Sequence, residues 1–514
     1  MNDVRPHFKC FVISIAVFCS SPSFAQNIQP ASAIPWLTDS LESPQDIERT
    51  TEQSSTKIET ISVETLKDND RDGLGILSSE VTGFPNNLWS GVPASKLLQL
   101  LRDTPYGGVP AIRSLYRQIL LSETTSPEKI LVTDSILLAR IDKFLEIGAL
   151  SEAQALIELV GPKTNDLFRR WFDISLLTNN ADNACAELDN SSKLSPVRSV
   201  QVFCLALNRN WEAAATSLAL GEELKQISKE NADLLAFFLD ESLLEEFDPP
   251  SIGSPLTPLE YVIRESVGLP RPTSALPVAF VHAELAEFVP LRFRMEAAEV
   301  LVREGVLPSS VLFASYREED PAASGGVWER MAATQAMDAA ATADEITESI
   351  LKLDREFKNT GLRQAAADEF ILYFSELPPD EFGDQTRDIV AQYLLLADAP
   401  ELAMNWISQE PPKVLKQALS IATGSFDGST NVEVALKTTT PEEYLSDYLS
   451  GIIARGQTGE ALMSAIDLLA RNDEIDEGDL IQALVLLRAT GQEKLAGKVA
   501  VQTLLLPLDQ QDAN

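Results

Sequence analysis

Six times in this chain a Gly, Asn or Asp is followed five residues later by Ala. The pairs are Gly148 and Ala153, Asn179 and Ala184, Asn208 and Ala213, Asp398 and Ala403, Gly456 and Ala461, and Gly491 and Ala496. Apolar pairs stand four and three residues before most of them: Phe144-Leu145, Cys204-Leu205, Leu394-Leu395 and Ile452-Ile453. The Asn179 and Gly491 members keep one apolar residue each, Leu176 and Leu487. An apolar pair closing a helix, a residue tolerant of left-handed backbone, then a small side chain one turn into the next helix describes a helical hairpin. The steps repeat as well: 31 residues from Gly148 to Asn179, 29 to Asn208, 35 from Gly456 to Gly491, and 58, near two units, from Asp398 to Gly456. Gly305, preceded by Leu301-Val302 but followed by Ser310, reads as a degenerate seventh member. The expected fold is therefore all-α, an α–α superhelix or solenoid of helical hairpins.

From Val92 onward the pattern is helical, and alternation of the strand kind is nearly absent. Helix starts are expected where a capping residue precedes Pro: Ser126-Pro127, Ser195-Pro196, Thr257-Pro258 and Thr440-Pro441. Thr257 with Glu260 and Thr440 with Glu443 also fit the capping box. Seven prolines between Pro249 and Pro277 interrupt the array, and Asp320 to Gly326 forms a second loop. These breaks suggest a helical-repeat subdomain over 91–250, a second over 251–505, and a disordered tail over 506–514.

This spacing resembles the tetratricopeptide-like family of helix–turn–helix repeats, whose unit is about 34 residues. The clearest matches are residues 144–159 (FLEIGALSEAQALIEL) and 204–218 (CLALNRNWEAAATSL), and the resemblance covers about half of residues 91–505. The full consensus, with its Trp, Tyr and closing Pro, is missing. The resemblance implies a curved array that binds other proteins on its concave face, and it implies no catalysis.

The first residues read as an export signal. Arg5, His7 and Lys9 form a basic start, residues 10–19 (CFVISIAVFC) a short apolar core, and Ser23-Phe24-Ala25 a cleavage site after Ala25. A periplasmic location follows as an expectation. Residues 26–90 lack apolar periodicity and read as a flexible acidic arm with short extended motifs, Ile34-Pro35-Trp36-Leu37 and the Ile58, Ile61 and Val63 piece among them. The whole chain carries 77 Asp and Glu against 41 Lys and Arg, a formal net charge of −36. That balance repels phosphate backbones and anionic headgroups, so nucleic acid and peripheral membrane partners are disfavoured. No later segment approaches the length of a membrane span, so no stable membrane insertion is expected after cleavage.

Candidate chemistry is sparse. With the signal removed, Cys185 and Cys204 remain on either side of one predicted turn. A disulfide between them is expected in an oxidising compartment, the alternative being two buried thiols. His282 is the one histidine past the signal, too few for a His-rich zinc site, and no CxxC motif is present, so no metal or cofactor is expected. Asp68-Asn69-Asp70-Arg71-Asp72-Gly73 matches the first half of a calcium loop. The bidentate position then falls at Ser79, with Glu80 one place late, and a solvated acidic turn is the reading adopted. Arg264-Glu265-Ser266 resembles part of the catalytic context of lytic transglycosylases, without their downstream Gly-Leu-Met-Gln segment. Ser324-Gly325-Gly326 precedes a helix start whose free N–H groups suit a small anion or carboxylate, with Trp328 and Arg330 placed to stack on a sugar or grip a peptide. The bland reading is a tight turn whose Trp fills the core. The functional expectation is an exported, non-enzymatic scaffold or adaptor for protein–protein interaction in the cell envelope. The alternative is a peptidoglycan- or glycan-binding, or lytic-transglycosylase-like, cell-wall protein.

Overall fold

The structure, a computed structural model, describes residues 71–506 apart from 128–134, 191–193, 196, 253–254, 271–275, 359, 426–427 and 473. The export signal, residues 26–70 of the arm with its Ile34 to Leu37 and Ile58 to Val63 motifs, Asp68 to Asp70 and the tail beyond 506 lie outside the described residues. Within them the chain is all-helical: α-helices joined by turns and short 3-10 stretches, one isolated bridge between Leu77 and Ser122, and no strand. Residues 71–90, read as the end of the arm, join the body, for Phe84, Leu88 and Trp89 are buried in its core.

The hairpin turns follow from what the end of a helix needs. Its last carbonyls lack partners, and a left-handed residue just past the end folds the chain back so that the following N–H groups reach them. Gly148, Asn179, Asp398, Gly456 and Gly491 all have positive φ, and so does Gly305. In each turn the next N–H bonds the carbonyl five residues back. Ala149 reaches Phe144 at 2.8 Å, Asn180 reaches Ser175 at 2.7 Å, Ala399 reaches Leu394 at 2.9 Å, Gln457 reaches Ile452 at 3.2 Å and Gln492 reaches Leu487 at 2.8 Å. The second helix then opens two residues after the turn, at Leu150, Ala181, Pro400, Thr458 and Glu493.

One member is out of register. Asn208 keeps negative φ, and Arg209 takes the left-handed place at +60°. The Asn210 N–H accordingly bonds Leu205 at 2.8 Å, the second helix opens at Trp211, and the small residue five places on becomes Ala214. Ala214 is fully buried, as are Ala153, Ala184, Ala403, Ala461 and Ala496, whereas Ala213 is only half-buried. Core contact decides the register, and the residue type in the turn yields to it. Lys225, Gly268 and Gly424 make the same turn without an Ala five residues on.

Caps divide in the same way. Thr257 and Glu260 form the expected capping box, with the Thr257 N–H reaching Glu260 Oε2 at 2.9 Å, and an unforeseen second box joins Thr342 and Glu345. Thr440 caps nothing: Pro441–Glu443 is a single 3-10 turn, and the helix begins at Asp447 under the Ser446 cap. The helix after Ser195 begins at Arg198, and residues 128–134, which follow Ser126-Pro127, lie outside the described ones.

Buried apolar residues fall into two clusters. The smaller runs from Phe168 to Leu269 and holds Cys185 and Cys204, which are joined in a disulfide with Cα atoms 5.2 Å apart. The larger draws on both stretches, 91–250 and 251–505, read from the sequence as subdomains. It does so because the two ends of the described chain pack together. The Gly459 N–H bonds the Leu88 carbonyl at 3.0 Å, Gln457 Nε2 bonds the Gly91 carbonyl at 2.7 Å, and the Ala111 N–H bonds Gln502 Oε1 at 2.8 Å. A Cβ on Gly459 would lie 2.5 Å from the Trp89 ring, so only glycine admits that indole.

Two outcomes are expected from this architecture. Gly148→Ala loses about 1–2 kcal/mol to left-handed backbone, and more because its Cβ would meet Val278 Cγ1 at 2.7 Å. Gly491→Ala meets no neighbour and loses only the backbone contribution. Urea unfolding of both variants checks the difference, and equal losses would contradict the packing of the Gly148 turn. Reduction of the Cys185–Cys204 disulfide, or Cys204→Ser, is expected to cost about 3 kcal/mol for a loop of this size, read as a lower midpoint of thermal unfolding.

Candidate functional site

The Gly-Gly loop does open a helix, Val327–Ala339, with Ser324, Gly325 and Gly326 exposed and Gly326 at the N-cap. The groups chosen from the sequence do not converge there. The nearest anion is the helix's own, for Glu329 Oε1 sits 3.4 Å from the Gly325 N–H. Trp328 is half-buried against the larger core. Arg330 turns inward, and its Nε and Nη2 each donate to Glu299 at 2.6 Å. The Tyr316 hydroxyl donates to the same carboxylate, and both Glu299 and Tyr316 are buried. Burial, then the adjacent Glu299 charge, pushes the Tyr316 hydroxyl well above its ordinary pKa. The triad ties the Leu291–Arg303 and Val327–Ala339 helices to the C-cap of the Ser309–Ser315 helix. Its polar groups are mutually satisfied, which is what makes a buried pair tolerable.

Arg264 is also turned to backbone. Its Nη2 donates to the carbonyls of Pro250 at 2.7 Å and Ser251 at 2.9 Å, tethering the proline run to the Pro258–Ser266 helix. Glu265 beside it is half-buried, and Ser266 donates to the Ile263 carbonyl. Asp72, the last carboxylate of the half calcium loop, is buried and accepts the N–H groups of Ile136 at 2.7 Å and Leu137 at 2.9 Å, so it caps the Ser135–Glu146 helix. Among the described residues no three His, Cys, Asp or Glu side chains are grouped to hold a metal, and no helix is long and apolar enough to cross a membrane.

A cluster of ionisable side chains lies elsewhere, where the Gly148 and Gly305 turns approach the Pro110–Leu121 helix. His282, in the 3-10 stretch Val278–Leu285, sits with Nε2 2.6 Å from the Gly148 carbonyl. A carbonyl can only accept, so Nε2 carries the hydrogen. Arg117 donates to the Gly305 carbonyl and to Glu152, Arg113 pairs with Glu304 at 3.5 Å, and the Tyr106 hydroxyl donates to the Glu304 carbonyl at 2.6 Å. Burial lowers the His282 pKa, against the opposing pull of the Gly148 carbonyl and Glu152, and burial raises that of Tyr106. No local motif announces this cluster, because its members come from six separate positions between 106 and 304. The available signal was the lone His282 together with the turn at Gly148.

The junction is one instance of a general arrangement in which a basic side chain of one helix bonds the carbonyl end of another. Arg140 reaches Leu120 at 2.6 Å and Ser122 at 3.2 Å, and Lys143 reaches Arg102 at 3.1 Å and Thr104 at 3.3 Å. Arg363 reaches Leu505 at 3.2 Å, Arg387 reaches Trp406 at 3.1 Å, and Arg488 reaches Thr438 at 2.7 Å. The negative end of each helix dipole adds to each bond. Acidic side chains outnumber basic ones by more than two to one among the exposed described residues, a larger excess than the composition alone gives, because a greater share of the cations is turned inward.

The His282 contact has a pH signature. Its folded pKa lies below the ordinary value of about 6.5, so the unfolded chain binds the proton more readily. The stability held by the neutral ring is present above that value and is lost as pH falls toward the folded pKa. His282→Gln retains an N–H donor for the Gly148 carbonyl but does not titrate. Relative to that variant, wild type is expected to lose stability progressively below about pH 6.5; parallel pH profiles would contradict the assignment. Compared with family models, curated proteins and solved structures, the chain matches none.

Proposed function

We propose that this chain is an exported helical-repeat scaffold that mediates protein–protein interaction in the cell envelope without catalysing a reaction. In this reading the hairpins stack as an α–α superhelix whose two ends are joined, and partners bind its outward surface. One observation carries the reading most directly. Large apolar side chains remain exposed on the second helices of four of the hairpins, where Leu159, Trp211 and Leu220, Val311 and Met404 are each 43–50% exposed, and elsewhere on the surface, Phe288 and Leu372 among them. The interior polar groups hold helix ends together, and this leaves an acidic surface set with apolar points, suited to partners that carry basic and apolar groups.

The test uses the full-length chain expressed in its own host. Fractionation is expected to place it in the periplasm, shortened by its first 25 residues, and crosslinking in intact cells is expected to recover a reproducible set of envelope proteins. Retention in the cytoplasm, or crosslinking that yields no protein neighbour, would overturn the proposal. Release of soluble fragments from purified cell-wall sacculi would replace it with the glycan reading.

A further inference from the structure

The helix Asn165–Leu177 is the seam between the two cores. It gives Leu167, Ile174 and Leu177 to the larger cluster and Phe168, Phe172 and Leu176 to the smaller, while Trp171 packs against both. The helix Pro258–Ser266 straddles the same boundary, with Tyr261 in one cluster, Ile263 in the other and Val262 against both. Past its exposed first turn this helix is packed between the two cores and leaves little wet face for a charge, yet it carries Asp173, which is 5% exposed. Its Oδ2 is buried without a hydrogen-bond partner, and its ion pair with Arg169 Nε is a long one, at 4.0 Å.

We infer that Asp173 is a pH-responsive element of this seam, which holds the two cores together when the carboxyl is protonated and loosens when it ionises. The charged groups on the neighbouring elements are mostly engaged elsewhere. Arg170 is paired with Asp142 and also donates to the Asp166 carbonyl. On the Pro258–Ser266 helix, Glu260 closes its capping box and Arg264 bonds the proline run, while Glu265 is half-buried. On the Val278–Leu285 stretch, His282 bonds Gly148 and Glu284 accepts from Tyr261. On Leu150–Val160, Glu152 is held by Arg117 and Glu158 by Gln154. On Ala181–Asn190, Asp182 is exposed and Glu187 half-buried. Only Arg169 and Arg170 act on the Asp173 charge, and both favour ionisation. Burial outweighs them and pushes the carboxyl up to about 6.

The sign follows from linkage. The folded pKa is raised, so the contribution to stability is present below the unfolded value of about 3.9 and is lost as pH rises through about 6. An opening of the seam that returns Asp173 to water therefore becomes easier between pH 5 and 7.5, by about tenfold for these two pKa values. His282 titrates in the opposite sense, and its separate variant removes that contribution.

Hydrogen exchange of the full-length oxidised protein, corrected for intrinsic rates, tests the inference. Protection of the amides in 165–177 and 258–266 is expected to fall about tenfold from pH 5 to 7.5, while that of the helix Thr458–Ala470 in the larger core stays constant. Asp173→Asn, which is neutral at every pH, is expected to abolish the change and to hold the seam at its low-pH protection throughout. Uniform behaviour of all three segments in wild type overturns the inference without a variant being needed. Persistence of the seam-specific change in Asp173→Asn overturns it as well. Neither result bears on whether the chain is an envelope scaffold, which rests on localisation and crosslinking.

Discussion

An α-helix ends with four carbonyl oxygens that have no partner inside it, and a chain assembled from short helices has many such ends to satisfy. Here they are met in two ways that depend on each other. Left-handed turns at Gly148, Asn179, Arg209, Gly305, Asp398, Gly456 and Gly491 close one set of carbonyls locally and fix the direction of the next helix. Buried or half-buried side chains from other elements close others: Arg117 at Gly305, His282 at Gly148, Arg140 at Leu120, Arg363 at Leu505. The second set orients the helices. A guanidinium accepts only a few positions around a carbonyl end, so each such bond fixes an angle between helices that apolar packing alone leaves loose.

Charge segregation follows from this use of cations. A chain with nearly twice as many acidic as basic side chains has few positive groups, and the structure places many of them at helix C-termini and on buried or half-buried carboxylates such as Glu299 and Asp354. At these sites each charge is desolvated, and a charge-assisted bond there contributes more than it would on the surface. Acidic side chains gain little from the interior unless they are paired or serve as caps, as Asp72 and Glu260 do, and the rest remain in water. The surface excess of negative charge is thus a consequence of how the interior is held together as well as of composition.

Much of the fold was legible because its turn chemistry is local. A residue that tolerates positive φ, flanked by apolar residues on one side and Ala on the other, reports a hairpin from within a dozen residues of sequence. The reading slipped at Asn208 because residue type pointed to one position and the burial of Ala214 to the next. It passed over Lys225, which makes the same turn with no type signal at all. The Gly325-Gly326 helix start was legible, but the direction of Arg330 was not. That direction is set by Glu299, 31 residues earlier and buried, and nothing in the local pattern marks it. The His282 junction, drawn from six places in the chain, was beyond any local reading for the same reason.

Closure of the chain on itself changes what the hairpins are. In a linear array each unit touches only its neighbours, so stability is a sum of local terms and unfolding can begin at either end. Here the buried Gln502 accepts from the Ala111 N–H and donates to the half-buried Gln364, which in turn donates to the Leu396 carbonyl. One amide thereby joins the start of the Pro110–Leu121 helix to units 253 and 391 residues away along the chain. The entropy of bringing such distant residues together must be met before these bonds form, so the bonds reward only a chain whose intervening hairpins are already rightly oriented. Glycine at 459, which admits Trp89, imposes the same condition sterically. The recurring turns set the direction of each second helix, the cations at helix ends hold the helices together, and the contact between the two ends of the described chain selects the one accumulated geometry in which both are satisfied.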